Sequence, residues 1–120
     1  MGANTPDVSI EKAHLVVQIA SDGHAFDIVM LDMTKVAYFT DIFVVMTVDS
    51  SRQMGALSQD IEDELKANKI KLHHKEGTPQ SGWLLLDFSD LIVHIFRPES
   101  RSYYQIEDLW HSAAEVVRIQ

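Results

Sequence analysis

Between Gly82 and Trp110 the chain places Asp87, Asp90, His94, Arg97, Glu99, Arg101 and two tyrosines in an otherwise very apolar frame. An apolar core has no need of so many charges beside its strands, so this stretch is where chemistry is sought first. Asp87 and His94 alternate onto one face of a hairpin, roughly diagonal to each other. A histidine base oriented by a carboxylate has this form, and so does a structural hydrogen-bonded pair. No nucleophile accompanies them, because the chain has no cysteine and no Gly-x-Ser-x-Gly elbow.

Other chemistries fare no better. Neither Gly-x-Gly-x-x-Gly nor Gly-x-x-x-x-Gly-Lys occurs. Asp87 and Asp90 lie on a strand face and at a turn tip, a poor arrangement for one octahedral magnesium ion. Ser50 and Ser51 at a helix start suit an anion, but capping already explains Ser50. His73 and His74 are neighbours that point to opposite faces of a strand, and His14, His24, His94 and His111 lack ligand spacing. No metal or cofactor is expected. Binding another protein fits better. Trp83 beside Asp87 and His94 makes an apolar anchor with polar neighbours, and Asp87 and Asp90 are able to pair with arginine or lysine of a basic partner. A tryptophan simply buried under a helix gives the same sequence pattern.

The elements that must position these residues are legible in outline. Thr5-Pro6 reads as an N-cap with proline in the first turn, and Ile10, Ala13, Val17 and Ala20 recur at helical spacing until Asp22-Gly23. Residues 27–32 and 42–48 read as strands, the second apolar on both faces as if covered from two sides. Ser50 and Gln53 form a capping box for a helix with Met54, Leu57, Ile61 and Leu65 on one side, ending near Asn68. Residues 70–75 read as a short edge strand and 76–81 as a loop. With Ser89-Asp90 as a two-residue turn, Phe88 faces Leu91, Leu86 faces Val93 and Leu84 faces Ile95, all on one apolar face. Trp83, Leu85, Asp87, Ile92, His94 and Phe96 then fall on the other. Arg97-Pro98 opens a final helix whose stripe is Tyr103, Ile106, Trp110, Ala113 and Val117. The order α-β-β-α-β-β-β-α implies an α/β (α+β) domain, a mixed five-stranded sheet with helices packed on it. Residues 1–5 and 113–120 read as loose ends.

Length and composition set bounds on all of this. At 120 residues and 46% hydrophobic the chain is one globular domain. Its net charge of −8, with ten basic residues, is ill-suited to non-specific binding of phosphate backbones and complementary to a basic protein. Plain solubility accounts for the same charge. No run approaches the roughly 18 apolar residues of a membrane span, and the first twelve residues lack the basic start and apolar centre of a signal peptide. The absence of cysteine fits a reducing cytoplasm.

The same residues resemble the iojap-type ribosomal silencing factors (RsfS). The shared elements are Thr40-Asp41, Ser50-Ser51-Arg52-Gln53, Glu76-Gly77, the run from Gly82 to His94, and Glu99-x-Arg101-x-Tyr103-Tyr104-x-Ile106-Glu107-x-Leu109-Trp110. Val48-Asp49 stand where family members often carry Gly-Thr. The resemblance implies a nucleotidyltransferase-like sheet without that superfamily's Gly-Ser and paired-aspartate pattern, hence no transferase activity. It implies translational repression: binding to the large ribosomal subunit through its fourteenth protein, so that the small subunit is kept off, with a homodimer as the free form. It implies no membrane and no sequence-specific nucleic acid as partner. Carried over by residue, it points to Trp83, Asp87, Asp90 and His94 as contacts, supported by Thr40, Asp41, Ser51, Arg52 and Tyr104. Arg52 is alternatively placed to tie down Asp41, and Tyr103 and Trp110 are expected in the core. An enzyme of nucleotidyltransferase type is the competing reading.

Overall fold

Two apolar periodicities, near 3.6 in the long helical segments and 2 in the hairpin, fix which surfaces must meet. In a computed structural model that describes residues 6–106 and 113–120, they produce α1 (Pro6–Asp22), β1 (Phe26–Asp32), β2 (Ile42–Thr47), α2 (Ser51–Ala67), β3 (His74–Thr78), a 3₁₀ turn (Pro79–Ser81), β4 (Trp83–Asp87), β5 (Leu91–Phe96), α3 (Pro98–Tyr104) and β6 (Ala114–Ile119). The strands form one six-stranded sheet in the order β3-β4-β5-β2-β1-β6. β2 and β5 pair in parallel, with α2 in the connection between them, and every other neighbouring pair is antiparallel.

The doubly apolar strand reads true. All six residues of β2 are buried, and β2 lies inside the sheet between β5 and β1. Ile42, Val44 and Met46 join α1 (Ala13, Val16, Val17, Ala20) and α2 (Met54, Leu57, Ile61, Leu65) in the main core. Phe43 and Val45 point the other way, into a smaller core with Val29, Leu31, Met33, Ile92, Phe96 and Ile106. The loop after β1 covers part of that second face, with Val36 and Ala37 packed on it.

Local chemistry sets the helix ends. Ser50 accepts the N–H of Gln53 at 3.1 Å, and Gln53 Oε1 accepts the N–H of Asp49 at 2.9 Å, one residue earlier than a capping box specifies. Asn68 closes α2, its amide donating to the Glu64 carbonyl at 2.8 Å. Gly82 ends the 3₁₀ turn at φ 84°, where a Cβ would stand 2.5 Å from Ser100 Oγ. Glycine is therefore what lets the chain turn tightly into Trp83.

Three expectations are corrected. The sheet has a sixth strand, because 114–119 pair with β1 (Val117 opposite Met30) instead of forming a loose end or continuing a helix. α3 stops at Tyr104 instead of running on unbroken, because Gln105 takes a left-handed φ of 47° and its N–H closes on the Arg101 carbonyl. Spacing alone cannot distinguish Ala113 and Val117 on a helix from the same residues near an edge strand. The edge strand next to β4 is His74–Thr78, not 70–75, and its five residues are all exposed. A strand exposed on both faces carries no hydrophobic alternation to mark its register. Thr5, the expected cap of α1, and Trp110 lie outside the described residues.

Candidate functional site

The β4–β5 hairpin has the register that alternation demands. Leu84 pairs with Ile95, Leu86 with Val93, and the Phe88 N–H meets the Leu91 carbonyl at 2.8 Å. Trp83, Leu85, Asp87, Ile92, His94 and Phe96 therefore share the face away from α1 and α2. On it Trp83 lies nearly parallel to Phe96, centroids 5.5 Å apart and planes at 14°, with His94 at 6.0 Å and Tyr104 of α3 at 4.9 Å. The indole N–H donates to His94 Nδ1 at 3.2 Å, a bond that exists only while that nitrogen carries no proton. His94 is buried, Trp83 half-buried, and Tyr104 is 45% exposed. A buried imidazole thus holds a partly exposed indole, with an exposed phenol beside it.

Asp87 and His94 share this face, but no hydrogen bond joins them. Asp87 Oδ1 accepts the Ser89 N–H at 2.7 Å, an Asx turn that supports the left-handed Ser89 (φ 80°) at the hairpin tip. Asp87 is therefore not the carboxylate that orients His94. Tyr103, expected in the core, is 80% exposed and packs edge-on against Tyr104 at 5.1 Å. The corrected end of α3 explains this, because a seven-residue helix has no long inner stripe.

A second group forms at the other end of the strands. Asp90 is 7% exposed, and its carboxylate accepts from Lys12 Nζ at 3.0 Å and Ser9 Oγ at 3.0 Å. Ser9 Oγ also lies 2.8 Å from Asp41 Oδ2. The Asp90 carbonyl takes the N–H groups of Asp41 (3.0 Å) and Ile42 (3.1 Å). Thr40 is buried, its hydroxyl directed at the Ile42 carbonyl. These residues knit α1, the start of β2 and the hairpin tip together. Ser9, not Arg52, ties down Asp41. The loop leading here is pinned at its start, where Thr34 donates its hydroxyl (2.6 Å) and its N–H (2.9 Å) to Asp32 Oδ1. Those two bonds, the hydroxyl's first, hold the Asp32 carboxyl below its usual pKa.

Ser51 and Arg52 lie at the Trp83–Phe96 end of the strands but on the side of the sheet covered by α2. They begin α2, beyond the end of β2 opposite to Asp41. Ser51 Oγ donates to the Pro79 carbonyl at 2.9 Å, and Arg52 is exposed. The structure thus brings Trp83, Asp87, His94 and Tyr104 onto one face and Thr40, Asp41 and Asp90 to one end. Ser9, Lys12, Tyr38, Phe39 and Phe43 were not picked out from sequence. Ser9 had a detectable signal, since it lies four residues before Ala13 on the buried stripe of α1, where a polar side chain must find a partner.

Chemically this surface is aromatic in the middle and carboxylate at its margins. Among the described residues no three His, Asp or Glu side chains are grouped to hold a metal ion. No helix among them is long and apolar enough to cross a membrane.

Comparison with known proteins bears on what such a surface meets. The family model described as "Ribosomal silencing factor during starvation" matches residues 6–120. The chain is 36% identical over 92 residues to the ribosomal silencing factor RsfS of Bacillus subtilis, covering 77% of this chain and 78% of that one. It is 34% identical over 109 residues to the chloroplastic Iojap protein of Zea mays, covering 91% of this chain and 45% of that one. A crystal structure of a Chromobacterium violaceum protein superposes with a TM-score of 0.82 at 33% identity, covering 86% of each chain.

Proposed function

This chain belongs to the RsfS family of ribosomal silencing factors, and we propose that it represses translation by docking on the large ribosomal subunit through that subunit's fourteenth protein and keeping the small subunit away. The observation that carries this reading is the half-exposed pair of Trp83 and Tyr104, packed ring against ring, with Trp83 held from below by His94. Aromatic side chains fixed by packing supply contact area at little entropic cost and dominate many interfaces. Asp87 lies on the same face at the other end of β4, and a net charge of −8 favours encounter with a basic ribosomal protein.

The mechanism is steric. Subunit joining needs a broad contact, and a rigid body of 120 residues occupying part of it keeps the remainder apart. The stiffness comes from the six-stranded sheet and its helices. Repression then follows occupancy of one site by mass action. In this reading Trp83, Asp87 and Tyr104 make contact, and His94 positions Trp83. Thr40, Asp41 and Asp90 shape the far end of the strands, while Ser51 and Arg52, at the Trp83 end, extend the surface if the partner reaches over the sheet's end onto α2. The free protein is a cytoplasmic homodimer.

Co-sedimentation with isolated large subunits at low salt tests the reading. Saturable binding that is lost on adding excess free fourteenth protein is expected; material left in the supernatant at every concentration contradicts it. Calorimetry with nucleoside triphosphates and magnesium tests the competing enzyme, for which saturable heat would be required.

A further inference from the structure

The aromatic row does not stop at Trp83. From His94 it continues to Phe43 at 4.7 Å, then to Phe39 at 6.3 Å and Tyr38 at 6.0 Å. It crosses β4, β5 and β2 and emerges in the loop before β2. Its middle is buried, with His94 and Phe43 at 2% and 3% exposure. Both ends are open: Tyr104 and Tyr103 at one, Phe39 (48%) and Tyr38 (102%) at the other. Trp83 and Tyr104 alone make a small patch, whereas specific complexes cover about 800 Å² per partner. The Tyr38 end lies on the same side of the sheet and supplies area that patch lacks.

Its charge indicates what it takes. A cleft of about 190 Å³ is lined by Tyr38, Phe39, Thr40, Asp41, Ser89 and Asp90. Lys12 offsets one of the two carboxylates by pairing with Asp90. Asp41 shares with Asp90 the single proton of the neutral Ser9 hydroxyl, and no ion pair to Asp41 forms among the described residues. One negative charge is therefore left uncompensated at the foot of two exposed rings whose planes stand at 86°. Ring faces attract cations within about 6 Å, and a carboxylate accepts their N–H groups.

We infer that Tyr38, Phe39 and Asp41 form a second docking site, which receives a cationic side chain of the same basic ribosomal protein. The inference rests on the function proposed above and adds residues and ligand chemistry to it. The partner is gripped at two points of one face, an apolar contact at Trp83 and Tyr104 and a cation at Tyr38.

The test measures binding of the purified fourteenth large-subunit protein to the full chain, to Tyr38→Arg, to Tyr38→Trp and to Trp83→Ala. Because Tyr38 is fully exposed, its variants should melt with the parent protein. Tyr38→Arg should weaken binding about tenfold or more, and Tyr38→Trp should stay within about twofold of the parent. If Tyr38→Arg binds like the parent while Trp83→Ala is weakened, this inference falls and the proposed function stands. If Tyr38→Arg alters only self-association, the ring pair belongs to a contact between two copies and the inference falls. If the parent chain itself does not bind, both fall.

Discussion

Trp83 donates its indole N–H to Nδ1 of His94, directly linking the half-exposed centre of the aromatic surface to a side chain that is 2% exposed. The bond fixes the ring's rotation, and stacking on Phe96 fixes its tilt. His94→Phe keeps the packing but removes the acceptor. A net hydrogen bond contributes about 1 kcal/mol, so His94→Phe should lower stability by about that much in urea unfolding. It should also weaken large-subunit binding, because the indole loses its preferred orientation. Unchanged affinity would show that Trp83 needs no such positioning.

Asp87 has two tasks that substitution can separate. Asp87→Asn preserves the acceptor for the Ser89 N–H and removes the charge, whereas Asp87→Arg reverses the charge and loses the turn bond. Both should weaken binding to large subunits in co-sedimentation, Asp87→Arg more strongly. Only Asp87→Arg should also lower the melting temperature, since the left-handed Ser89 loses its support. Equal binding by Asp87→Asn and the parent would remove the charge from the interface.

The Lys12–Asp90 pair joins residues 78 apart in sequence. Lys12→Met leaves a carboxylate in a site only 7% exposed. Removing one partner of a well-buried pair costs about 3–5 kcal/mol. Lys12 is partly solvated, so a loss nearer 2 kcal/mol is expected for Lys12→Met. Lys12→Met combined with Asp90→Ala should cost less than the sum of the single changes, and a double-mutant cycle by chemical denaturation reads the difference. Strict additivity would contradict the pairing.

The sixth strand is open to a simple check. Val117 faces the main core and pairs opposite Met30. Val117→Asp should destabilise by about 2 kcal/mol or more, through a charge placed against apolar side chains. The exposed Val116→Asp should fall within about 0.5 kcal/mol of the parent. Equal effects at the two positions would mean that 114–119 do not form an edge strand.

The contrast between the hairpin and the chain's end shows how far sequence reasoning reaches. Leu84–Phe88 and Leu91–Ile95 alternate so strictly that turn, register and both faces follow from side-chain type. The segment that enters β6 carries Ala113 and Val117 four apart, which suits a helix equally well, and only the otherwise unpaired edge of β1 decides between them. β3 is wholly exposed and carries no pattern at all. For the site, the face that collects Trp83, Asp87 and His94 was legible. The inward course of Asp90 was not, because its partners Ser9 and Lys12 sit on a helix at the other end of the chain. Local alternation encodes faces; the pairing of distant charges depends on packing that no local window contains.

The central claim, that a rigid aromatic surface keeps the ribosomal subunits apart, is tested most directly by following subunit joining by light scattering. Purified large and small subunits are mixed with increasing amounts of this protein or of Trp83→Ala. The parent should suppress joining in a saturable manner. Trp83→Ala should require at least about thirtyfold more protein, corresponding to the roughly 2 kcal/mol of a central anchor. Joining that proceeds unchanged at saturating parent protein, or equal inhibition by Trp83→Ala, would contradict the account.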